Sequence, residues 1–99
     1  MLFYKMKKKN EDLGLILEVE QKKIGLRFKH LRKQKGYSSH ETFAYDYGLD
    51  RAQYGKIEAG ASNMTLKVFI KHLNAIGISF REFFNEEYEN TESGELKSN

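Results

Sequence analysis

From Arg51 to Lys56 the chain reads RAQYGK, which sets a guanidinium, a carboxamide and an ammonium within six residues. Arginine offers a planar fork of donors, glutamine a donor beside an acceptor, and lysine a compact charge. The chemistry on offer is recognition of anionic or acceptor-rich surfaces, not the making of bonds. The usual constellations for bond-making are missing. His30, His40 and His72 fall on three different predicted helices with no H-x-x-x-H spacing, and the chain has no cysteine, so a metal site has no support. No glycine-rich phosphate loop or nucleophile motif occurs, and carboxylates cluster only in a C-terminal stretch read as unstructured. Neither an enzyme, a cofactor nor a small-molecule ligand is expected.

Charge agrees with an anionic partner. The chain of 99 residues carries a formal charge of +3, but residues 82–99 hold six acids against Lys97 alone. Residues 1–81 therefore carry 16 bases and 8 acids, a net +8 that attracts polyanions. Length allows one small domain with a single core. The lack of cysteine is compatible with a reducing compartment, and no apolar run approaches a membrane span or signal-peptide core. A cytoplasmic protein is the expectation.

The elements that must position RAQYGK are helical. Proline is absent, and glycine makes the breaks. Ile24, Phe28 and Leu31 recur at i, i+4, i+7 on a first helix over 21–35, whose other faces carry lysine and arginine, and Gly36 ends it. Ser39, in preference to Ser38 with its S-x-x-E box, caps a second helix running to Tyr47. Asp50 caps a third, to about Ala59, and Gly60 closes it. Thr65 caps a fourth, with Leu66, Phe69, Ile70, Leu73 and Ile76 on one face and Gly77 after it. Ser79 with Glu82 forms a capping box for a last short helix carrying Phe80, Phe83 and Phe84. Residues 13–19 alternate like a strand but also nearly fit a helix joined to the next; helix is the preferred reading. The expected organisation is a basic tail and ambiguous segment over 1–20, a domain over 21–85, and an acidic disordered tail over 86–99.

The second and third helices form a hinged pair. Ala44 supplies the small residue that a tight crossing demands, and Gly48 the tolerance of positive φ that the turn demands. Phe43, Tyr47, Leu49, Tyr54 and Ile57 are expected to point inward, leaving Arg51, Ala52, Gln53, Gly55 and Lys56 outward.

Residues 39–60, SHETFAYDYGLDRAQYGKIEAG, resemble the helix-turn-helix of the phage-repressor family, also called the Cro/cI or XRE family. The resemblance covers roughly 21–85 and includes Arg32, Glu58 before Gly60, and NMTLKVFIKHLNAIGISFREFF. It implies an all-α, compact five-helix domain with the helix-turn-helix at helices two and three, and double-stranded DNA as ligand. It also implies a pair between Arg32 and Glu58 that ties helix one to helix three. His40, Arg51, Ala52, Gln53 and Lys56 match positions that touch bases or nearby phosphates in the family. His40 stands where glutamine is usual, Met64 where proline is usual, and one extra residue lies between Gly36 and the second helix.

On that footing Arg51 offers paired donors to guanine and Gln53 bonds adenine, with phosphate binding and a solvated amide as the plainer roles. Lys56 fits a phosphate better than a base. Gly55 either allows close approach to DNA or is a neutral exposed glycine; Ala52 and Gly55 are placed at the base-contact surface. His40, Tyr37, Tyr45, Asn63 and Lys67 border the phosphate-facing surface. Tyr54 belongs to the core. Lys5, Lys7, Lys8 and Lys9 form either an arm on the duplex or a solubilising tail. The expected function is a sequence-specific transcriptional regulator, in the manner of a repressor, acting as a homodimer on a pseudo-palindrome. The alternatives are an antitoxin with a toxin partner, and a protein-interaction module that does not touch DNA.

Overall fold

The computed structural model describes residues 10–91. The Lys5–Lys9 cluster and the end of the acidic stretch lie outside the described residues. Six helices follow in order: α1 Asn10–Gln34, α2 His40–Asp46, α3 Arg51–Glu58, α4 Leu66–Ile76, α5 Phe80–Phe83 and α6 Glu86–Glu89. No strand occurs among the described residues. The four predicted caps all form. The Ser39 hydroxyl accepts from the amides of Glu41 and Thr42, Asp50 from Gln53, Thr65 from Val68, and Ser79 from Glu82 in a complete capping box. Each satisfies an amide that the first helical turn leaves without a partner.

Two boundaries differ from the sequence expectation. The first helix starts at Asn10, not Gln21, so the ambiguous segment is its first turns. Residues 86–91, expected to be part of a disordered tail, contain α6, capped by the Asn85 carboxamide and anchored by Tyr88, which is buried. A single aromatic in an acidic stretch gave the segment something to bury, and α1 supplies the partners. Lys23 lies 4.6 Å from the centre of the Tyr88 ring, and the Tyr88 hydroxyl donates to the Glu20 carboxylate.

The core is aromatic. Phe28, Phe43, Tyr54 and Phe83 are fully buried, with Ala44, Leu49, Ile57, Phe69, Leu73, Ile76 and Tyr88 around them. Phe28 sits at the centre, its ring 4.9–6.4 Å from those of Phe83, Phe69, Tyr54 and His72. Such edge-on and tilted pairs add about 0.5–1.5 kcal/mol each beyond their burial. Leu66 and Ile70, expected on the buried face of α4, are instead 65% and 47% exposed, because α5 covers only the side of α4 that carries Phe69 and Leu73.

Candidate nucleic-acid interface

The turn between α2 and α3 is built as its residues require. Gly48 has φ +67°, a conformation in which other residues are strained. Beside it the Leu49 amide donates to the Ala44 carbonyl at 2.8 Å, wrapping the chain back over the end of α2. Ala44 is wholly buried, as the crossing demands. Phe43, Leu49, Tyr54 and Ile57 point inward as expected. Tyr47 does not: it is 40% exposed, its ring leaning on Phe43 at 4.8 Å with the Lys35 ammonium 5.5 Å from its centre.

Two contacts fix α3 to α1. Arg32 donates from Nε and Nη2 to the two carboxylate oxygens of Glu58 at 2.9 and 2.7 Å, and from Nη1 to the Tyr37 carbonyl at 2.9 Å. The two side chains are only 4% and 8% exposed, so this is a buried bidentate pair. The hydrogen bonds to Glu58 hold the guanidinium above its ordinary range despite its burial. The second contact was not among the sequence expectations: a Cβ on Gly25 would lie 2.5 Å from the carbonyl oxygens of Ile57 and Glu58. Gly25 lets α1 lie against the end of α3 with no side chain between them. The signal was present, since an interior glycine costs a helix about 1 kcal/mol and calls for a packing reason.

Held this way, α3 turns Arg51, Ala52 and Lys56 to solvent, with Gln53 and Gly55 half-buried. His40, Glu41, Asp50, Arg51, Ala52, Gly55, Lys56 and Ala59 line one shallow concavity between α2 and α3. The bare Cα of Gly55 has a neighbour: a Cβ there would meet the His40 ring, 3.1 Å from Nε2. The glycine makes room for the imidazole, which leans over α3 toward Tyr54. His40 is thereby placed at the concavity by the residue opposite.

The flanking residues separate into two groups. Tyr45 is 80% exposed, and Asn63 and Lys67 are also exposed. Tyr37 is half-buried, its hydroxyl donating to Asp46 at 2.7 Å, a bond that pushes its pKa up to about 12. Tyr54 belongs wholly to the core. Its hydroxyl is buried without a hydrogen-bond partner, and burial raises its pKa well above the phenol range. Beneath it His72 stacks at 5.9 Å, donating from Nδ1 to the Val68 carbonyl, with Nε2 buried and unpartnered. Burial lowers the His72 pKa, so the neutral ring is the folded form.

No group of three or more possible metal ligands occurs among the described residues, and none of their helices is long and apolar enough to cross a membrane.

Comparison with known proteins agrees with this geometry. The chain is 38% identical over 64 residues to control protein C.MunI of Mycoplasma sp, a match covering 65% of this chain and 86% of that one. Among solved structures it is similar to the restriction-modification controller protein C.AhdI from Aeromonas hydrophila, at 40% identity and a TM-score of 0.57, covering 66% of this chain and 97% of that one. It is also similar to a point mutant of the restriction-modification controller protein C.Esp1396I, at 29% identity and a TM-score of 0.58, covering 66% and 81%. No family model matches. These relatives are controllers of transcription, and they lend no support to a toxin partner.

Proposed function

Because the chain belongs to the controller proteins, which are XRE-family helix-turn-helix regulators that bind DNA sequence-specifically, we propose that it governs transcription of a restriction–modification operon. The observation that carries the reading is the α2–α3 concavity, which sets Arg51 and Lys56 beside His40, with half-buried Gln53 on the same helix outside the concavity, and a buried ion pair braces that helix from behind. An α-helix fits the major groove only when a second helix holds it proud of the scaffold, and α2 does this across Ala44.

Within that reading Arg51 and Gln53 address base edges, Ala52 and Gly55 let the backbone come close, and Lys56 takes a phosphate. His40, Tyr45, Asn63 and Lys67 border the phosphates, and Tyr37, its hydroxyl held by Asp46, borders the same surface. Residues 21–85 form the DNA-binding unit. The protein acts in the cytoplasm and represses by occupying promoter DNA. One module buries too little surface to bind tightly alone, so a homodimer spans half-sites about 34 Å apart. Leu66, Ile70, Phe80 and Phe84, all exposed on α4 and around α5, offer the apolar contact for that dimer.

Selection from random duplexes by mobility shift, with sequencing of the retained pool, tests this. A two-fold symmetric sequence should be enriched. Arg51→Ala should relax one position of each half-site at a cost of about 1–3 kcal/mol, and Lys56→Ala should weaken all sequences alike and lower the salt slope by about one. A pool without enrichment at low salt would return the fold to a protein-interaction role.

A further inference from the structure

Between Lys56 and Lys67 the chain has no base. This stretch is the end of α3 and the connection to α4, and in the proposed reading its exposed Asn63 borders the DNA phosphates. Asn63 brings only a neutral amide, while the C-terminal end of α3 brings the negative pole of a helix, which repels phosphate. The connection therefore lies where a cation is wanted and has none of its own. A neighbouring helix holds one against it. A Cβ on Gly60 would lie 2.9 Å from the Lys22 Cα and 3.0 Å from its Cγ, so the connection rests on the stem of Lys22 with no side chain between them. Beside it, Gln21 Nε2 donates to the Ser62 carbonyl at 2.9 Å. Gly60 lies one turn, about 6 Å, beyond Lys56 along α3, so the Lys22 stem begins where the exposed face of that helix ends.

We infer that Lys22 is a DNA phosphate contact: α1 places its ammonium beside the uncharged α3–α4 connection, and with Lys56 it takes the backbone that runs past the C-terminal end of α3. The inference rests on the DNA-binding reading and extends it to a helix outside the α2–α3 pair. Lys22 is exposed, and among the described residues no ion pair holds its ammonium. The next residue shows the contrast. Lys23 is buried, 3.9 Å from the Glu20 carboxylate and over the Tyr88 ring, so it faces α6 and is already occupied. Glu20 is drawn to that side as well, where it accepts from the Tyr88 hydroxyl. The acid that shares the Lys22 flank is Glu18, exposed and one turn earlier. A phosphate suits Lys22 better than a base edge. Its compact charge sits at the end of α3, not on the face that carries Arg51 and Ala52.

Fluorescence anisotropy of the full chain on its selected duplex and on random duplex, across about 50 to 200 mM potassium chloride, tests the contact. Wild type is compared with Lys22→Gln, which keeps the stem on Gly60, and with Lys33→Gln, which removes the same charge from an exposed position three turns further along α1. Lys22→Gln should weaken both duplexes alike and lower the salt slope by about one per subunit. The advantage of wild type should then shrink by about 3.5-fold per subunit over that fourfold rise in salt. Lys33→Gln should keep the wild-type slope, Lys22→Arg should restore it, and Glu18→Gln should strengthen binding. Thermal midpoints should match wild type throughout; if that of Lys22→Gln falls, Lys22→Met takes its place under the same criteria. An unchanged slope for Lys22→Gln, with wild type still selecting its sequence, would overturn this inference and leave the DNA-binding reading standing. An equal loss of slope in Lys33→Gln would overturn it too, by assigning the effect to net charge. A shifted sequence preference would replace the phosphate by a base edge. A wild type that binds no duplex would remove the reading and this contact together.

Discussion

Replacing Arg32 by methionine removes the cation from the most buried ion pair in the described fold. The substitution keeps the length of the aliphatic stem, so packing changes little and the loss is electrostatic. It leaves the Glu58 carboxylate 8% exposed without its two donors, and the Tyr37 carbonyl without its one. An uncompensated buried charge costs about 3–5 kcal/mol. A domain of this size has about 5–15 kcal/mol in total, so the midpoint of thermal unfolding should fall by well over ten degrees, at about 4–8 °C per kcal/mol. Because the pair is shielded from ions, molar salt should recover little of the loss. Arg32→Met/Glu58→Leu removes both charges and should be far closer to wild type than Arg32→Met alone, since the penalty lies in the orphaned carboxylate and not in the absent bond. Urea unfolding of wild type, Arg32→Met, Glu58→Leu and the double variant gives the coupling energy directly. A cost below about 1 kcal/mol for Arg32→Met, the size of a solvated surface pair, would refute the reasoning.

Four further outcomes follow from the same contacts. Gly25→Ala should destabilise by about 1–3 kcal/mol or more, because its methyl meets two backbone carbonyls at 2.5 Å; a stabilised variant, as helix propensity alone would give, contradicts the close α1–α3 approach. Gly55→Ala should leave stability unchanged or raise it by up to about 1 kcal/mol while weakening DNA binding, as the His40 ring is pushed from its place; unchanged affinity in a titration would remove His40 from the interface. His72 is neutral in the fold with its pKa lowered, so its contribution is intact above the ordinary histidine value near 6.5 and is lost as pH falls through the lowered value. Thermal midpoints should therefore drop on acidification, and His72→Phe should drop less; parallel profiles would clear His72 of the effect. Truncation after Asn85 should cost about 3 kcal/mol, since it strips Tyr88 from its pocket and Glu87 from Arg27, whereas a disordered tail would leave urea unfolding unaltered.

Legibility in the sequence followed the range of the forces involved. Ser39, Asp50, Thr65 and Ser79 act on amides two or three residues away, and Gly48 acts on its own backbone, so caps and turn could be placed from neighbours alone. Arg32 and Glu58 are 26 residues apart and were found through family resemblance, not through any local signal. Arg27 shows what such locality misses. In a run of lysines it reads as solvated, yet it is 5% exposed, donating to the Phe83 and Glu82 carbonyls at the end of α5 and to the Glu87 carboxylate. The basic run from Lys22 to Lys35 and the acidic C-terminal stretch were read separately, the second as disordered where α6 in fact forms. Their opposite charge was the available sign that one folds onto the other.

These contacts make α1 the platform of the molecule. Its C-terminal half holds α3 through Arg32 and Gly25, and holds the end of α5 and α6 through Arg27 and Lys23. In the proposed reading α3 sets the position on DNA, and its few outward side chains have meaning only if their backbone is fixed to a fraction of an ångström. The buried ion pair is an expensive way to gain stability, since an apolar pair of the same volume would serve about as well. What an apolar pair lacks is direction. A bidentate guanidinium donates to its carboxylate in one plane, and Glu58 is the last residue of α3, so the pair fixes the rotation of that helix about its own axis as well as its distance from α1. It follows that the apolar double variant should keep its stability yet discriminate less well between the selected sequence and random duplex. A double variant that keeps both would reduce Arg32 and Glu58 to a stabilising pair with no part in reading DNA.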